Sequence, residues 1–148
     1  AAILRPQLKS LEANIERWND RYRTVERRLR EVDALHLPVR PPEEYYVGSS
    51  MQFRVPGLSA SKAVEFITAN NRRGVELKWF VADEPVAFTS NHKSWRYVES
   101  QSLPKTDLIL STLFDLRLPL TFSLEDCALL ADIIAACTQP LFLNGASA

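Results

Sequence analysis

A seam of apolar side chains through the first part of the chain constrains the fold more than any other feature. Leu4, Leu8, Leu11, Ile15, Trp18, Tyr22, Val25, Leu29 and Val32 recur at steps of four and three. That spacing keeps one stripe of a helix apolar. Between these positions Glu12, Glu16, Asp20 and Glu26 interleave with Arg17, Arg21, Arg23, Arg27, Arg28 and Arg30. The pattern predicts one long helix over residues 1–32, about 45 Å at ~1.5 Å per residue. Pro6 fits only its first turn or a kink. Because acids are interleaved, the arginines read as a solvated helix face and not as a nucleic-acid surface.

The segment His36-Leu-Pro-Val-Arg-Pro-Pro42 stops that helix. From Tyr46 to Val55 the chain alternates, with Val47, Ser49, Met51, Phe53 and Val55 on one side and Gly48, Ser50, Gln52 and Arg54 on the other. That is a half-buried strand, closed by Pro56-Gly57. Ser59 or Ser61 can cap a helix running through Arg73, with Ala63, Val64, Phe66 and Ile67 as its apolar stripe. Gly74 ends it, glycine taking the left-handed cap cheaply. Val75 to Phe80 alternates again and predicts a second strand. Val81 to Leu103 shows no periodicity and is long for a connection inside a compact domain. A short helix is expected near Thr106 to Leu113. A third strand follows over Leu116, Leu118 and Leu120, with Pro119 best tolerated at a sheet edge. Ser123-Leu-Glu-Asp126 has capping-box spacing and opens a last helix to Cys137, ended by Pro140.

The order of elements predicts an α+β fold: a long N-terminal helix and a small three-stranded, mostly antiparallel sheet covered by helices. We divide the chain into a linking helix at 1–32, an α+β body at 33–140 and a flexible tail at 141–148.

Composition removes several function classes. The 148 residues carry 18 Lys+Arg and 18 Asp+Glu, so the formal net charge is zero. A nucleic-acid or anionic-membrane binder would show a basic excess. Two Cys and two His are too few for a four-ligand zinc site without carboxylates. No stretch reaches the ~20 apolar residues of a membrane span, and no signal peptide opens the chain. A cytoplasmic domain is expected. The chain starts without Met, inside its first helix, and a longer parent protein is expected too. No Ser lies in a G-x-S-x-G elbow, and only 4 Gly are present, with no phosphate-cradling loop among them. Cys127 and Cys137 fall ten residues apart on one helix, roughly 15 Å along its axis. That is too far for a disulfide, and both read as small buried hydrophobes.

The order of segments resembles the C-terminal small domain of DegT/DnrJ-type aminotransferases. These are pyridoxal-phosphate enzymes of the aspartate-aminotransferase fold, many acting on keto-sugars. The residues that carry the resemblance are Ala1-Ala2-Ile3, Gln7-Leu8, Leu11 and Arg21-Tyr22 in the first helix. GVELKWF at 74–80 is similar to the family's Gly-Ile/Val-Glu strand. LPKTDLILSTLFDLRLPLTFSLEDCALLADII is similar to its closing stretch. The family's Schiff-base lysine lies upstream of this region, and none of Lys9, Lys62, Lys78, Lys93 or Lys105 has its context. Where the family commonly has a His-Tyr-Pro-like segment, this chain has Trp79-Phe80-Val81 and then Asp83-Glu84-Pro85.

The resemblance implies a domain that contributes substrate-side contacts and packing to an aminotransferase whose catalytic lysine and pyridoxal phosphate sit in a separate large domain. The expected substrate contacts are Lys78, Trp79, Phe80, Asp83, Glu84, Ser90, His92 and Trp95. No catalytic, cofactor-binding or metal-ligating residue is expected in this chain. The expected partners are the large domain and a second copy joined through the N-terminal helix, with no nucleic acid or membrane. The alternative is a non-enzymatic helical dimerisation or adaptor module with an α+β head.

Overall fold

The computed structural model describes residues 4–82, 93, 95, 97, 99 and 101–143. The apolar seam forms two helices, α1 (Leu4–Leu8) and α2 (Leu11–Leu29), where the periodicity predicted one. The break lies at Lys9-Ser10. Lys9 N–H donates to Pro6 O (3.3 Å) and Ser10 N–H to Gln7 O (3.2 Å), bonds spanning three residues where a continuing α-helix spans four. The Ser10 hydroxyl donates to Gln7 O as well (3.1 Å). Pro6 lies within α1, one turn ahead of this break. The break has a consequence for burial: Leu8 is 65% exposed and Leu11 42%, and the seam goes under only from Ile15.

From Ile15 onward α2 belongs to the body of the fold. Tyr22, Val25 and Leu29 are fully buried in the core, and α2 packs chiefly on α5 (Leu124–Thr138). Its arginines do more than face solvent. Arg21 Nε donates to Phe122 O at 2.7 Å, and one of its terminal nitrogens to Leu120 O at 3.2 Å. Arg28 pairs with Asp132 of α5 at 2.8 Å. The tract therefore ties α2 to the chain entering α5.

Among the described residues the sheet has three strands: β1 (Ser50–Arg54), β2 (Leu77–Trp79) and β3 (Leu113–Arg117). Their order is β1-β3-β2, both neighbours antiparallel to β3. The third strand is therefore central and not the edge that Pro119 suggested. Pro119 is accommodated because the strand ends two residues earlier. Between β1 and β2 runs α3 (Ala60–Arg72), capped by Ser59, whose hydroxyl accepts from Lys62 N–H. Gly74 follows at φ +84°, the left-handed conformation expected after a helix end.

The β3 segment also differs in register. A helix over 106–113 and a strand over 116–120 were expected; α4 spans Pro104–Leu110 and β3 starts at Leu113. The Ser111 and Thr112 hydroxyls turn back to the carbonyls of Leu108 (2.8 Å) and Ile109 (3.1 Å), which closes the helix early. The inside–outside sense nonetheless holds, with Leu116 and Leu118 buried and Arg117 exposed.

Met51, Phe53, Leu77, Phe114 and Leu116 form one face of the sheet, covered by α2, α3 and α5. Phe66 of α3 meets Phe114 edge-on at 5.2 Å. The capping box at Ser123 forms in both directions, at 2.8 and 3.0 Å. Pro140 opens a further short helix, α6 (Pro140–Leu143), and does not lead straight into a tail. Leu141 is buried, and its carbonyl accepts from Lys62 Nζ at 2.5 Å. The first residues of the segment expected as a flexible tail, from 141, belong to this helix. Residues 144–148 lie outside those described.

Candidate functional site

The face of the sheet turned away from the helices is polar. Ser50, Gln52 and Arg54 project there from β1, Asp115 and Arg117 from β3, and Lys78 from β2, as strand alternation dictates. Asp115 stands at the centre, directly opposite Gln52 on one side and Lys78 on the other. Directly opposed residues hold their Cβ atoms roughly 4.5–5.5 Å apart. Gln52 Nε2 donates to Asp115 Oδ1 at 2.6 Å and to Ser50 Oγ at 3.0 Å. Lys78 is only 8% exposed and Asp115 only 5%. A buried carboxylate needs donors and an opposing charge; Gln52 supplies the first, and Lys78 is the facing cation.

A cavity of about 290 Å³ lies at the Lys78 end of this row, lined by Gly74, Glu76, Lys78, Leu116, Arg117, Pro119, Phe122 and Leu130. At the other end Arg54 Nε donates to Thr112 Oγ1 at 3.1 Å. Beyond it, Arg40 lies over the rings of Tyr22 (5.1 Å) and Tyr46 (4.3 Å). Burial pushes the Tyr22 hydroxyl above its usual pKa, and the hydrogen bond from Arg40 only partly offsets this. Tyr22 is therefore a neutral wall.

The eight expected site residues separate. Lys78 lies on the polar face. Trp79 turns to the opposite face, packs against the core, and donates from its indole nitrogen to Ser111 O at 2.9 Å. These two therefore do not share a surface. Phe80 follows β2, half-buried, with its N–H on Leu113 O at 3.4 Å. Trp95 is exposed. Asp83, Glu84, Ser90 and His92 lie outside the described residues.

Sequence reasoning missed Asp115, because the third strand was expected to begin at Leu116 and begins at Leu113. The alternation of Phe114, Leu116 and Leu118 around Asp115 and Arg117 was the available signal. Arg40 and His36 gave none, being part of a proline-rich stop.

Pyridoxal phosphate, which the family resemblance implies, needs a lysine amine and a carboxylate on the far side of its ring. Lys78 and Asp115 are side-by-side neighbours in register and cannot bracket a ring. Lys62 is committed to Leu141 O, and Lys93 pairs with Asp107 at 3.1 Å. The described residues do not fit that group. Among them there is also no cluster of three or more His, Cys, Asp or Glu that could hold a metal ion. Both cysteines are buried and free, and burial pushes the Cys127 thiol above its usual pKa.

No protein-family model matches the sequence, and no curated protein matches it. Its fold, however, is one found within solved aminotransferase structures. Over 91% of this chain it superposes on 34% of an aminotransferase, TlmJ from Streptoalloteichus hindustanus, with a TM-score of 0.73 and 20% identity. Over 93% of the chain it superposes on 38% of 3-amino-5-hydroxybenzoic acid synthase, with a TM-score of 0.69 and 19% identity. The chain thus spans about a third of the length of these solved structures. Among the described residues no helix is long and apolar enough to cross a membrane.

Proposed function

We propose that the chain serves as the small domain of a pyridoxal-phosphate-dependent aminotransferase of the DegT/DnrJ type, acting on a keto-sugar or related carbonyl compound. The observation that carries this reading is the match of nearly the whole chain to a third-length part of two aminotransferases. In this reading the lysine and the cofactor belong to a larger domain, and this chain supplies packing and substrate-side contacts. Lys78, among the described residues the one expected contact on the polar face, leads that surface. Trp79, Phe80, Asp83, Glu84, Ser90, His92 and Trp95 remain the other proposed contacts, with Trp79 acting through packing.

A second copy of the chain is the further partner we propose, joined through α1 and the start of α2, where Leu8 and Leu11 are open. The same two leucines favour the competing reading, a dimerisation module with no enzyme attached.

The coding region upstream of this segment decides between them. It is expected to encode a larger domain with a lysine in Schiff-base context. The whole product should then show the absorbance of bound pyridoxal phosphate and amino-group transfer to a keto-sugar. A reading frame that opens at this segment would overturn the enzyme reading.

A further inference from the structure

On the outer edge of β1 lies an open cavity of about 510 Å³, lined by His36, Arg40, Glu44, Gln52, Arg54 and the apolar run 37–39. The aminotransferase reading makes no use of it. Two guanidinium groups reach it from different parts of the chain, and both are held in place. Arg54 exchanges both backbone hydrogen bonds with His36, at 2.8 and 2.9 Å, and its Nε donates to the buried Thr112 hydroxyl. Among the described residues Thr112 is its only side-chain acceptor, so its two terminal nitrogens remain for a ligand. Arg40 is fixed over Tyr22 and Tyr46, with Nε on the Tyr22 hydroxyl at 3.4 Å and one terminal nitrogen on Glu44 at 2.6 Å.

We propose that this cavity binds a small organic anion, a metabolite bearing a carboxylate or phosphate group. Arg54 makes the forked contact, and Arg40 and His36 complete a positive rim. The planar fork of arginine matches two oxygens of either group. A fork already immobilised loses little freedom on binding. Two arginines against one glutamate leave the cavity positive even with His36 neutral. Its volume falls in the range of small-molecule sites, which run from roughly 300 to 1,000 Å³. Leu37, Pro38 and Val39 form an apolar wall for the ligand's carbon part. The site is a property of this chain's own residues and does not rest on the aminotransferase reading.

The test is an NMR titration of the ¹⁵N-labelled full chain with succinate and, separately, with inorganic phosphate; succinamide is the neutral control. Succinate, phosphate or both should saturably shift the Arg54 Nε–H signal and the backbone amides of 36–40. Saturation by one alone identifies the preferred head group. Arg54→Gln should weaken binding by at least about tenfold, the loss of a hydrogen bond to a charged group. Glu44→Gln, which removes the one acid among the described residues that line the cavity, should tighten it. This second variant keeps the proposal testable if Arg54→Gln does not fold. No saturable shift with either anion, an equal shift with succinamide, unchanged affinity in a folded Arg54→Gln, or weaker binding in Glu44→Gln would each overturn the proposal.

Discussion

A Cβ added at Gly48 would stand 2.5 Å from Tyr22 Cβ and 3.0 Å from Tyr22 Cγ. The backbone before β1 comes this close to α2 because Asn19, itself buried, bonds it twice. Asn19 Oδ1 accepts from Gly48 N–H at 2.8 Å, and Asn19 Nδ2 donates to Tyr46 O at 3.0 Å. Gly48→Ala is therefore expected to destabilise by about 1–3 kcal/mol, the usual cost of overpacking. Gly57 is a different case: its φ is +76° and nothing lies within 4 Å of an added Cβ, so Gly57→Ala should cost only the conformational strain, about 1–2 kcal/mol. Urea unfolding of both variants tests this, with a lower midpoint and unchanged slope expected. A neutral Gly48→Ala would mean that the approach to Tyr22 relaxes freely. On the polar face, Lys78→Met removes the cation facing buried Asp115. A loss of about 1–3 kcal/mol is expected in the same assay, and Lys78→Arg should recover part of it.

At the scale of single elements, α5 is the one written most plainly in the sequence. Its capping box is local, so three residues of spacing suffice to see it. The Ser123 N–H and hydroxyl hold the Asp126 carboxyl below its usual pKa of 3.8. A lowered native pKa stabilises the fold fully above the ordinary carboxyl value, and that stability is lost as pH falls through the native one. The melting-temperature gap between the unmodified chain and Asp126→Ala should therefore be widest near neutral pH and narrow on acidification below 3.8. A gap that does not change with pH would mean that the charge contributes nothing. α3 was legible for the same reason, through Ser59 and Gly74. β3 was not legible in detail. Phe114 to Leu118 alternates as convincingly as Leu116 to Leu120, and only pairing with β1 on one side and β2 on the other selects the register. Gln52 and Arg54 were visible as the polar side of a strand. Their assembly with Asp115 and Lys78 depends on that cross-strand register, which no local pattern encodes. The break in the N-terminal seam was half legible, since Pro6 allowed a kink in this region but the heptad spacing runs on through Lys9-Ser10.

For the molecule as a whole, two expectations concern its surfaces. Leu8 and Leu11 leave an apolar strip ahead of Ile15, and fully burying each such side chain is worth roughly 1.5–3 kcal/mol. The chain alone should self-associate in sedimentation at high micromolar concentration, and Leu8→Ser/Leu11→Ser should remain monomeric. A monomeric unmodified chain would show that the strip needs no partner. The second expectation follows from the arrangement of its lysines. Incubation with pyridoxal phosphate and borohydride reduction should leave no single lysine stoichiometrically modified, as mass analysis of the digest would show. One dominant adduct would place a cofactor site in this chain after all.

The central position of β3 has a consequence for how the chain is made. β1 and β2 are not neighbours in the sheet; among the described strands each pairs with β3, which follows both in the sequence. Residues 50–54 wait for partners at 113–117. During synthesis no part of the sheet can form until residues 113–117 have left the ribosome. Pairing across such sequence separations is the slow, high-contact-order kind. Until then two unpaired strands and the apolar faces of α2 and α3 are held only by local structure, the condition in which nascent chains are open to chaperones and to aggregation. A product truncated before Leu113 would retain helices and have no sheet at all.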